Sequence, residues 1–220
     1  MKHVITGWAR GGLGYIAKLL KASGADVGTT FGPDTTHENF EEKLKEAKDY
    51  EVSPYFIPFL KHDAFNDAAV TFVVRDPMRA LNSIYFHGLF HNEKKTPLSK
   101  FAFKYLPGFE ARYLGCPGQA TCAYLWNWLK LAKDARSNLR TVRVEEGPNA
   151  LRRHFGLKPS GKYVEPYTNI SYCKQTILPS QLPENTREGV RIMLNTLGYR
   201  ESYWEPRGGH AHYVNPDWHC

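Results

Sequence analysis

Long apolar runs, paired cysteines and a signal-peptide segment are all missing from this sequence of 220 residues. No apolar run approaches the roughly 20 residues that a membrane helix needs, so we expect no membrane association. The N-terminal segment has no apolar stretch of the kind that a secretory signal carries. The cysteines form no CxxC pair and have no histidine at zinc-finger spacing: Cys116, Cys122, Cys173 and Cys220. These absences predict a cytoplasmic protein with reduced thiols and no metal.

A dense basic tail is also missing, although the formal net charge is +7. Lysine and arginine are scattered along the chain instead of clustered. This distribution favours a small anionic ligand, and we expect no nucleic-acid partner. A nucleic-acid binder is an alternative that rests on the net charge alone, and it would show a steep dependence of binding on salt.

Segments of strand and helix character alternate along the chain. The stretch 68–74 is continuously apolar or β-branched, as in strands that are buried on both faces, and 3–7 and 139–146 are further predicted strands. Helical patterns follow at 15–20, 37–50, 77–90, 118–135, 148–155 and 183–199. The alternation predicts an α/β fold with three layers, in which helices flank a parallel central sheet. We expect one domain over 1–200, with an aromatic, histidine-rich tail at 201–220 that packs on it or extends from it.

The stretch "GWARGGLGYI" at residues 7–16 follows the first predicted strand. Gly7 and Gly12 have the spacing of a phosphate-binding loop, and Arg10 adds a charged, forked donor inside it. The next positions are Leu13 and Gly14, where a nucleotide triphosphatase has Lys and Ser or Thr. The loop is therefore suited to an anion and poorly suited to magnesium-bound ATP. An ordinary glycine turn between a strand and a helix is the alternative.

A second stretch, "RDPMRALNSIYFH" at residues 75–87, follows the predicted strand 68–74. Asp76 is the expected N-cap of a helix that begins at Pro77. Arg75 at the strand end and Ser83 eight residues later offer a guanidinium and a hydroxyl, which suit a phosphate. The alternative is a surface arginine paired with a carboxylate, next to an ordinary exposed serine.

In this order the two stretches resemble the 5′-phosphosulfate loop and the 3′-phosphate motif of sulfotransferases that use 3′-phosphoadenosine 5′-phosphosulfate (PAPS). "WNWLKLAKDA" at 126–135, "TVRVEE" at 141–146 and the closing helix at 178–199 are also similar to segments of that family. The resemblance covers roughly residues 3–200 and is to the short bacterial or viral type. It implies a fold like that of the P-loop nucleoside triphosphatases. It also implies transfer of a sulfuryl group from PAPS to a hydroxyl or amine without a required metal.

The resemblance also implies roles for individual residues. Arg10 would stabilise charge on the bridging oxygen of the leaving group, and Arg75 and Ser83 would hold the 3′-phosphate. The 5′-phosphate would be held by the loop and the start of the first helix: Gly11, Gly12, Leu13, Gly14 and Tyr15. Family members usually have Thr at the position of Leu13, so one side-chain contact is replaced by backbone donors.

The catalytic base does not follow from the pattern. Family positions that carry Glu or His correspond here to Thr29-Thr30 and to Ser53. Four nearby side chains are candidates: Asp34, His37, Glu38 and Glu51. Strand alternation places Glu51 on the same side as Ser53. Each candidate also has an ordinary structural interpretation, and a site that relies on orientation and Arg10 alone is a further alternative.

Several features allow more than one interpretation. The aromatic and basic stretch 99–113 is either an acceptor-binding lid or a packed surface loop. Tyr124, Trp126 and Trp128 are predicted to belong to the core. The histidines near the C-terminus suggest a metal site, but an aperiodic tail of this kind usually has no such role. The acceptor is expected to be a small molecule or a glycan of unknown identity, and the sequence does not specify the oligomeric state. A kinase-like P-loop enzyme and a non-catalytic anion-binding module are the alternative functions.

Overall fold

The computed structural model describes residues 1–91, 96–113, 115–161, 164 and 175–199, and the backbone of 212–213. The chain divides into two compact units. The first, here called the sheet unit, comprises Met1–Arg75 and Trp128–Asn169, and the second, the helical unit, comprises Asp76–Asn127 and Ile170–Cys220.

Five parallel strands form the centre of the sheet unit: β1 (His3–Gly7), β2 (Val27–Gly28), β3 (Tyr50–Val52), β4 (Ala69–Val74) and β5 (Arg140–Arg143). Their order across the sheet is β2-β3-β1-β4-β5. In register, Ile5 lies beside Val52 on one side and Thr71 on the other. The predicted α/β fold with a parallel central sheet is therefore confirmed. A short parallel pair joins β6 (Gln175–Thr176) to β7 (His212–Tyr213) in the helical unit.

The described residues contain eight α-helices: α1 (Leu13–Ala22), α2 (Phe40–Lys45), α3 (Pro77–Phe86), α4 (Pro97–Tyr105), α5 (Phe109–Tyr113), α6 (Pro117–Ala135), α7 (Pro148–His154) and α8 (Glu184–Thr196). In the sheet unit, α1 and α7 pack on one face of the sheet. There Ile16 and Leu19 of α1 join Val73 of β4 and Leu151 of α7 in a buried core. Phe72 points to the opposite face, where its ring meets the edge of the buried Trp8 at 6.0 Å.

Helix α2 is shorter than its charge pattern predicts, since it spans Phe40–Lys45 instead of 37–50. At its start, the Asn39 side chain accepts a hydrogen bond from the Thr36 amide at 2.8 Å, which forms a turn before the helix. At its end, the carbonyl of Asp49 accepts hydrogen bonds from the amides of Lys2 and His3. The chain is therefore extended beside β1 before residue 50, and the helix cannot continue.

The sequence shows no helical pattern over residues 91–117, yet this segment contains α4 and α5. Thr96 caps α4 by accepting a hydrogen bond from the Ser99 amide at 3.1 Å, and Pro97 occupies the first helical position. Leu98 and Phe101 are buried at helical spacing. Proline in this segment starts a helix instead of interrupting one. Of residues 156–183, those the structure describes include a short 3₁₀ turn at Pro179–Gln181.

Two further expectations fail. Cys116 is disulfide-bonded, so the prediction that every cysteine is reduced is wrong, whereas Cys122 is a free thiol. Trp126 is 38% exposed, although Tyr124 and Trp128 are buried as predicted. Cys173, Cys220 and the predicted tail 201–220, apart from the backbone of 212–213, lie outside the described residues.

The described residues contain neither a membrane span nor a metal cluster. No helix among them has the length and apolar character needed to cross a membrane. They contain no group of three or more His, Cys, Asp or Glu side chains placed to hold a metal ion. The tail histidines belong to the undescribed part of the chain.

Candidate anion-binding site

The loop between β1 and α1 requires glycine at two points. A Cβ at Gly7 would overlap the carbonyl oxygen of Val73, so this position allows the loop to leave the sheet close to β4. Gly12 has a φ of 101°, in the left-handed region, and a Cβ there would overlap Cγ1 of Val144. The glycines of the loop can be recognised from the sequence. The contact with Val144 cannot, because this residue follows β5 and is far from the loop along the chain.

The N-terminus of α1 can attract an anion. Gly12 is its N-cap and offers no side-chain hydrogen bond, and no acidic residue occupies the first turn. The partial positive charge of the first-turn amides is therefore not offset by a side chain of the helix itself. Leu13 and Tyr15 are buried in the core with α7 and the sheet, whereas Gly14 is exposed. Leu13 and Tyr15 can thus serve the predicted 5′-phosphate only through their backbone.

Arg10 has a strained backbone, with a φ of 63° that non-glycine residues rarely adopt. The turn is closed by a hydrogen bond from the Gly11 amide to the Trp8 carbonyl at 2.9 Å, and the indole of Trp8 is fully buried. The buried indole fixes the turn in place, so the position of Arg10 is set by the fold. Strain of this kind is often found at functional sites.

Arg10 and Arg75 bring two positive charges toward the same edge of the sheet. Arg75 directly follows β4, which lies next to β1. The pKa of the Arg10 guanidinium is lowered first by burial and then by the positive charge of Arg75. After β1 the chain crosses to β2 on one side of the sheet, and after β4 it crosses to β5 on the other side. The carboxyl ends of β1 and β4 therefore border the crevice in which parallel α/β sheets bind ligands. The geometry suits a polyanion.

Ser83 lies in the helical unit, on α3. Its helix begins as predicted, because the Asp76 carboxylate accepts a hydrogen bond from the Arg79 amide at 3.1 Å and Pro77 follows. Ser83 is partly exposed, on the face opposite the buried Leu81. Arg75 belongs to the sheet unit, and the shared 3′-phosphate role of Arg75 and Ser83 stays a prediction.

Glu51, one of the candidate bases, is fully buried. Its carboxylate accepts hydrogen bonds from the Thr30 amide and the Thr30 hydroxyl, both at 3.0 Å, and from the Lys48 amide at 2.9 Å. A Cβ at Gly28 would overlap this carboxylate, so the close packing also requires a glycine in β2. The contacts show that Glu51 holds the loop that follows β2.

The other candidate bases lie in or beside that loop. His37 and Glu38 are exposed, and the His37 ring meets Phe59 edge-on at 4.9 Å. The Asp34 carboxylate pairs with Lys43 at 2.9 Å, and the same ammonium group donates to the Thr30 carbonyl at 3.2 Å. Lys43 was not predicted to contact this loop, although its place on the helix that follows the loop could have indicated the contact. None of these contacts identifies the base.

Ser53 occupies the position where some family members have histidine. Its hydroxyl donates a hydrogen bond to the Phe31 carbonyl and accepts one from the Tyr55 amide at 3.0 Å. Pro54–Phe59 forms a 3₁₀ helix after it. Ser53 therefore caps this turn and anchors the loop that contains the candidate bases.

Comparison with known proteins bears on the fold. No protein-family model matches the chain, and no curated protein matches it. Among solved structures, the crystal structure of a sulfotransferase from Alicyclobacillus acidocaldarius superposes with a TM-score of 0.53 over 93% of this chain and 98% of that chain, at 14% identity. The chain has the fold of a sulfotransferase. The predicted P-loop-like architecture is thereby confirmed, while the identity is too low for the match to carry activity.

Proposed function

We propose that the protein is a PAPS-dependent sulfotransferase. The observation that carries the proposal is the placement of Arg10 and Arg75 at the carboxyl edge of β1 and β4, beside the N-terminus of α1. Burial and then the positive charge of Arg75 lower the pKa of Arg10, and an anionic ligand between the two would favour both charged groups. The donor of a sulfotransferase carries phosphate groups at both the 3′ and the 5′ position of its ribose.

The loop fits this donor better than it fits a nucleoside triphosphate. The amides of residues 12–15 can donate to the 5′-phosphate, as at other helix N-termini, whereas the predicted Gly11 amide already donates to the Trp8 carbonyl. Leu13 is buried and Gly14 has no side chain, so neither can supply the magnesium-binding hydroxyl or the phosphate-binding lysine of a kinase. A metal-independent transfer follows from this composition.

The reaction would proceed by in-line attack of the acceptor oxygen or nitrogen on sulfur. The bond between sulfur and the bridging oxygen breaks, and its electron pair stays on the 5′-phosphate of the leaving group. Arg10 stabilises that developing negative charge. The acceptor proton passes to a base or to solvent. We assign Glu51 to holding the loop rather than to this proton, because its carboxylate already accepts three hydrogen bonds.

His37 and Glu38 are the better-placed candidates for the base, since both are exposed and can exchange protons with solvent. We also propose a small-molecule or glycan acceptor, without nucleic-acid or membrane partners. The predicted cytoplasmic location loses its main support, because the disulfide at Cys116 is of a kind that is rare in the cytosol. The same three hydrogen bonds of Glu51 favour one second candidate, a non-catalytic anion-binding module that keeps the scaffold and lacks a working base.

A transfer assay separates the two functions. The protein is incubated with PAPS and a panel of phenols, alcohols, amines and oligosaccharides, with EDTA present, and release of 3′-phosphoadenosine 5′-phosphate is followed by chromatography. We expect release that depends on an acceptor, is unaffected by EDTA and is lost in Arg10→Ala. Tight nucleotide binding without release across the panel would support the binding module.

A further inference from the structure

A small cavity lies in the helical unit, bordered by α5, α6 and α8. It is open to solvent, and its volume is about 220 Å³, against roughly 150 Å³ for a closed apolar cavity that binds benzene in another protein. The cavity therefore has room for one six-membered ring with a small substituent. All of its lining residues belong to the helical unit, and none of them belongs to the loop that contains Arg10.

Apolar groups form the floor of the cavity. Val190 and Met193 of α8 line it and are buried, and Cys122 of α6 lies beside them. Burial raises the pKa of the Cys122 thiol, which therefore stays protonated and behaves as an apolar group. A thioether and a thiol in the lining can make favourable contacts with an aromatic ring.

One wall is formed by Trp126, which lies one turn beyond Cys122 on the same face of α6. This indole is 38% exposed, although the other large aromatic side chains of α6, Tyr124 and Trp128, are fully buried. A ligand ring inserted next to the indole would cover apolar surface that now faces water. Indole rings stack well on other aromatic rings.

The rim carries a positive charge. Arg112 and Tyr113 end α5 and line the cavity, and the Arg112 guanidinium lies 5.5 Å from the centre of the Tyr113 ring. The cation–π contact orients the guanidinium, whose planar donors match a carboxylate in a bidentate way. Asn185 and Thr186 in the first turn of α8 add polar groups to the same rim.

We propose that this cavity binds a single aromatic ring that bears a carboxylate, with the ring between Trp126 and Met193 and the carboxylate on Arg112. Benzoate is the simplest member of the class. The inference does not depend on the proposed sulfuryl transfer, because no residue of the loop or of the sheet contributes to it.

Gly189 of α8 makes a sharp test possible. It lines the cavity, and a Cβ built there meets no atom within 4 Å. Gly189→Leu should therefore fill the cavity from a helix that tolerates leucine better than glycine, so folding is preserved. The matched control is Ile192→Ala, a change on the same helix at an exposed residue that does not line the cavity.

Benzoate binding is measured by calorimetry and by saturation-transfer NMR on the full chain. We expect saturable binding at millimolar concentration or tighter, its loss in Gly189→Leu and no change in Ile192→Ala. Thermal melts establish that each variant is folded, and retained binding of 3′-phosphoadenosine 5′-phosphate in Gly189→Leu shows that the two sites are separate. Absence of saturable benzoate binding to the unaltered protein, or binding that survives Gly189→Leu, overturns the proposal.

Two further arms test the chemical class. Arg112→Gln should weaken benzoate at least tenfold and leave benzyl alcohol unchanged, since only the carboxylate needs the guanidinium. Trp126→Leu should weaken benzoate and benzyl alcohol alike. Equal affinity of the unaltered protein for benzoate and benzyl alcohol would contradict the assignment of a carboxylate.

Discussion

Basic residues lie at the amino ends and at the carboxyl ends of the central strands, here called the amino edge and the carboxyl edge of the sheet. The surroundings of the charged groups differ between the two. At the amino edge, Lys2 pairs with Asp49 at 2.9 Å, and this carboxylate raises the pKa of Lys2. At the carboxyl edge, the pKa of Arg10 is lowered by burial and by the like charge of Arg75. The first arrangement neutralises charge within the fold. The second concentrates it where an anion can bind.

The backbone also differs between the two edges, because its strained conformations lie at the carboxyl edge, where the like charges are. Strained or glycine-dependent conformations occur at Gly7, Arg10 and Gly12, all at the carboxyl end of β1. At the amino end, His3 stacks flat on Tyr50 with the ring centres 4.4 Å apart, an ordinary packing contact. Strain and like charge at one edge are costs that a bound ligand would offset, which is the pattern of a binding site.

Gly12→Ala should have the largest effect, because it adds backbone strain and an overlap with Val144. Together these should lower the free energy of unfolding by about 3 kcal/mol and abolish nucleotide binding. Gly24→Ala is the matched control, since Gly24 also has a positive φ but has open space around its Cβ position. Denaturant unfolding checks both, and equal losses in the two variants would show that the Val144 contact is unimportant.

Arg75→Ala should weaken binding of 3′-phosphoadenosine 5′-phosphate by about 2 kcal/mol, or roughly thirtyfold, as for a lost hydrogen bond to a charged group. AMP, which has no 3′-phosphate, should lose far less. Arg140→Ala removes the same charge at the opposite edge of the sheet, next to β4 in β5, and should leave both affinities unchanged. Equal losses of the two nucleotides in Arg75→Ala would contradict the 3′-phosphate role.

Glu51→Gln should destabilise the sheet unit by about 1.5 kcal/mol, because the amide cannot accept all three hydrogen bonds of the carboxylate. The rate of transfer, measured where the protein is fully folded, should change little. Thr30→Val serves as the paired variant, since it removes one of the same bonds. A large loss of rate without a loss of stability would instead make Glu51 the base.

The smallest effect concerns His154 at the amino edge. Burial, and then the charge of Arg140, lowers the pKa of its imidazole below the usual 6.5. The unfolded chain therefore takes up this proton first as the pH falls. The contribution to stability is complete above pH 6.5 and is lost as the pH falls through the lower, folded-state pKa. Because the ring is partly exposed, the effect should be under about 0.5 kcal/mol.

Urea unfolding at pH 7.5 and pH 5 checks this contribution. The loss of stability between the two pH values should be smaller in His154→Asn than in the unaltered protein. His3→Asn is the comparison variant, because burial and Arg140 also lower the pKa of His3. An unchanged pH dependence in both variants would show that neither histidine is held neutral by the fold.

Features that depend on local sequence could be predicted. The buried strand Ala69–Val74, the loop glycines and the Asp76-Pro77 helix start follow from residue type and short spacing, and the structure confirms them. Features that depend on distant contacts could not. The carboxylate of Glu51 binds Thr30, 21 positions away, and Val144 packs against Gly12 from the end of another strand. Spacing along the chain contains no signal for either contact.

The candidate site likewise combines features that local sequence predicts with features that it does not. Arg10 and Arg75 were identified because each directly follows a predicted strand or lies in a glycine loop. The burial of Leu13 and Tyr15 was not, since a loop pattern does not show which side chains turn into the core. Helix α4 has a local signal that was not used, because Thr96 followed by Pro97 is a typical helix start.

Calorimetric titration of 3′-phosphoadenosine 5′-phosphate in the presence of EDTA tests the central claim most directly, with AMP and magnesium-bound ATP as comparisons. The account predicts micromolar binding without metal and AMP binding at least about tenfold weaker, a difference of 1.4 kcal/mol or more. Absence of binding, or a preference for magnesium-bound ATP, would contradict the proposed donor site and leave only the shared fold.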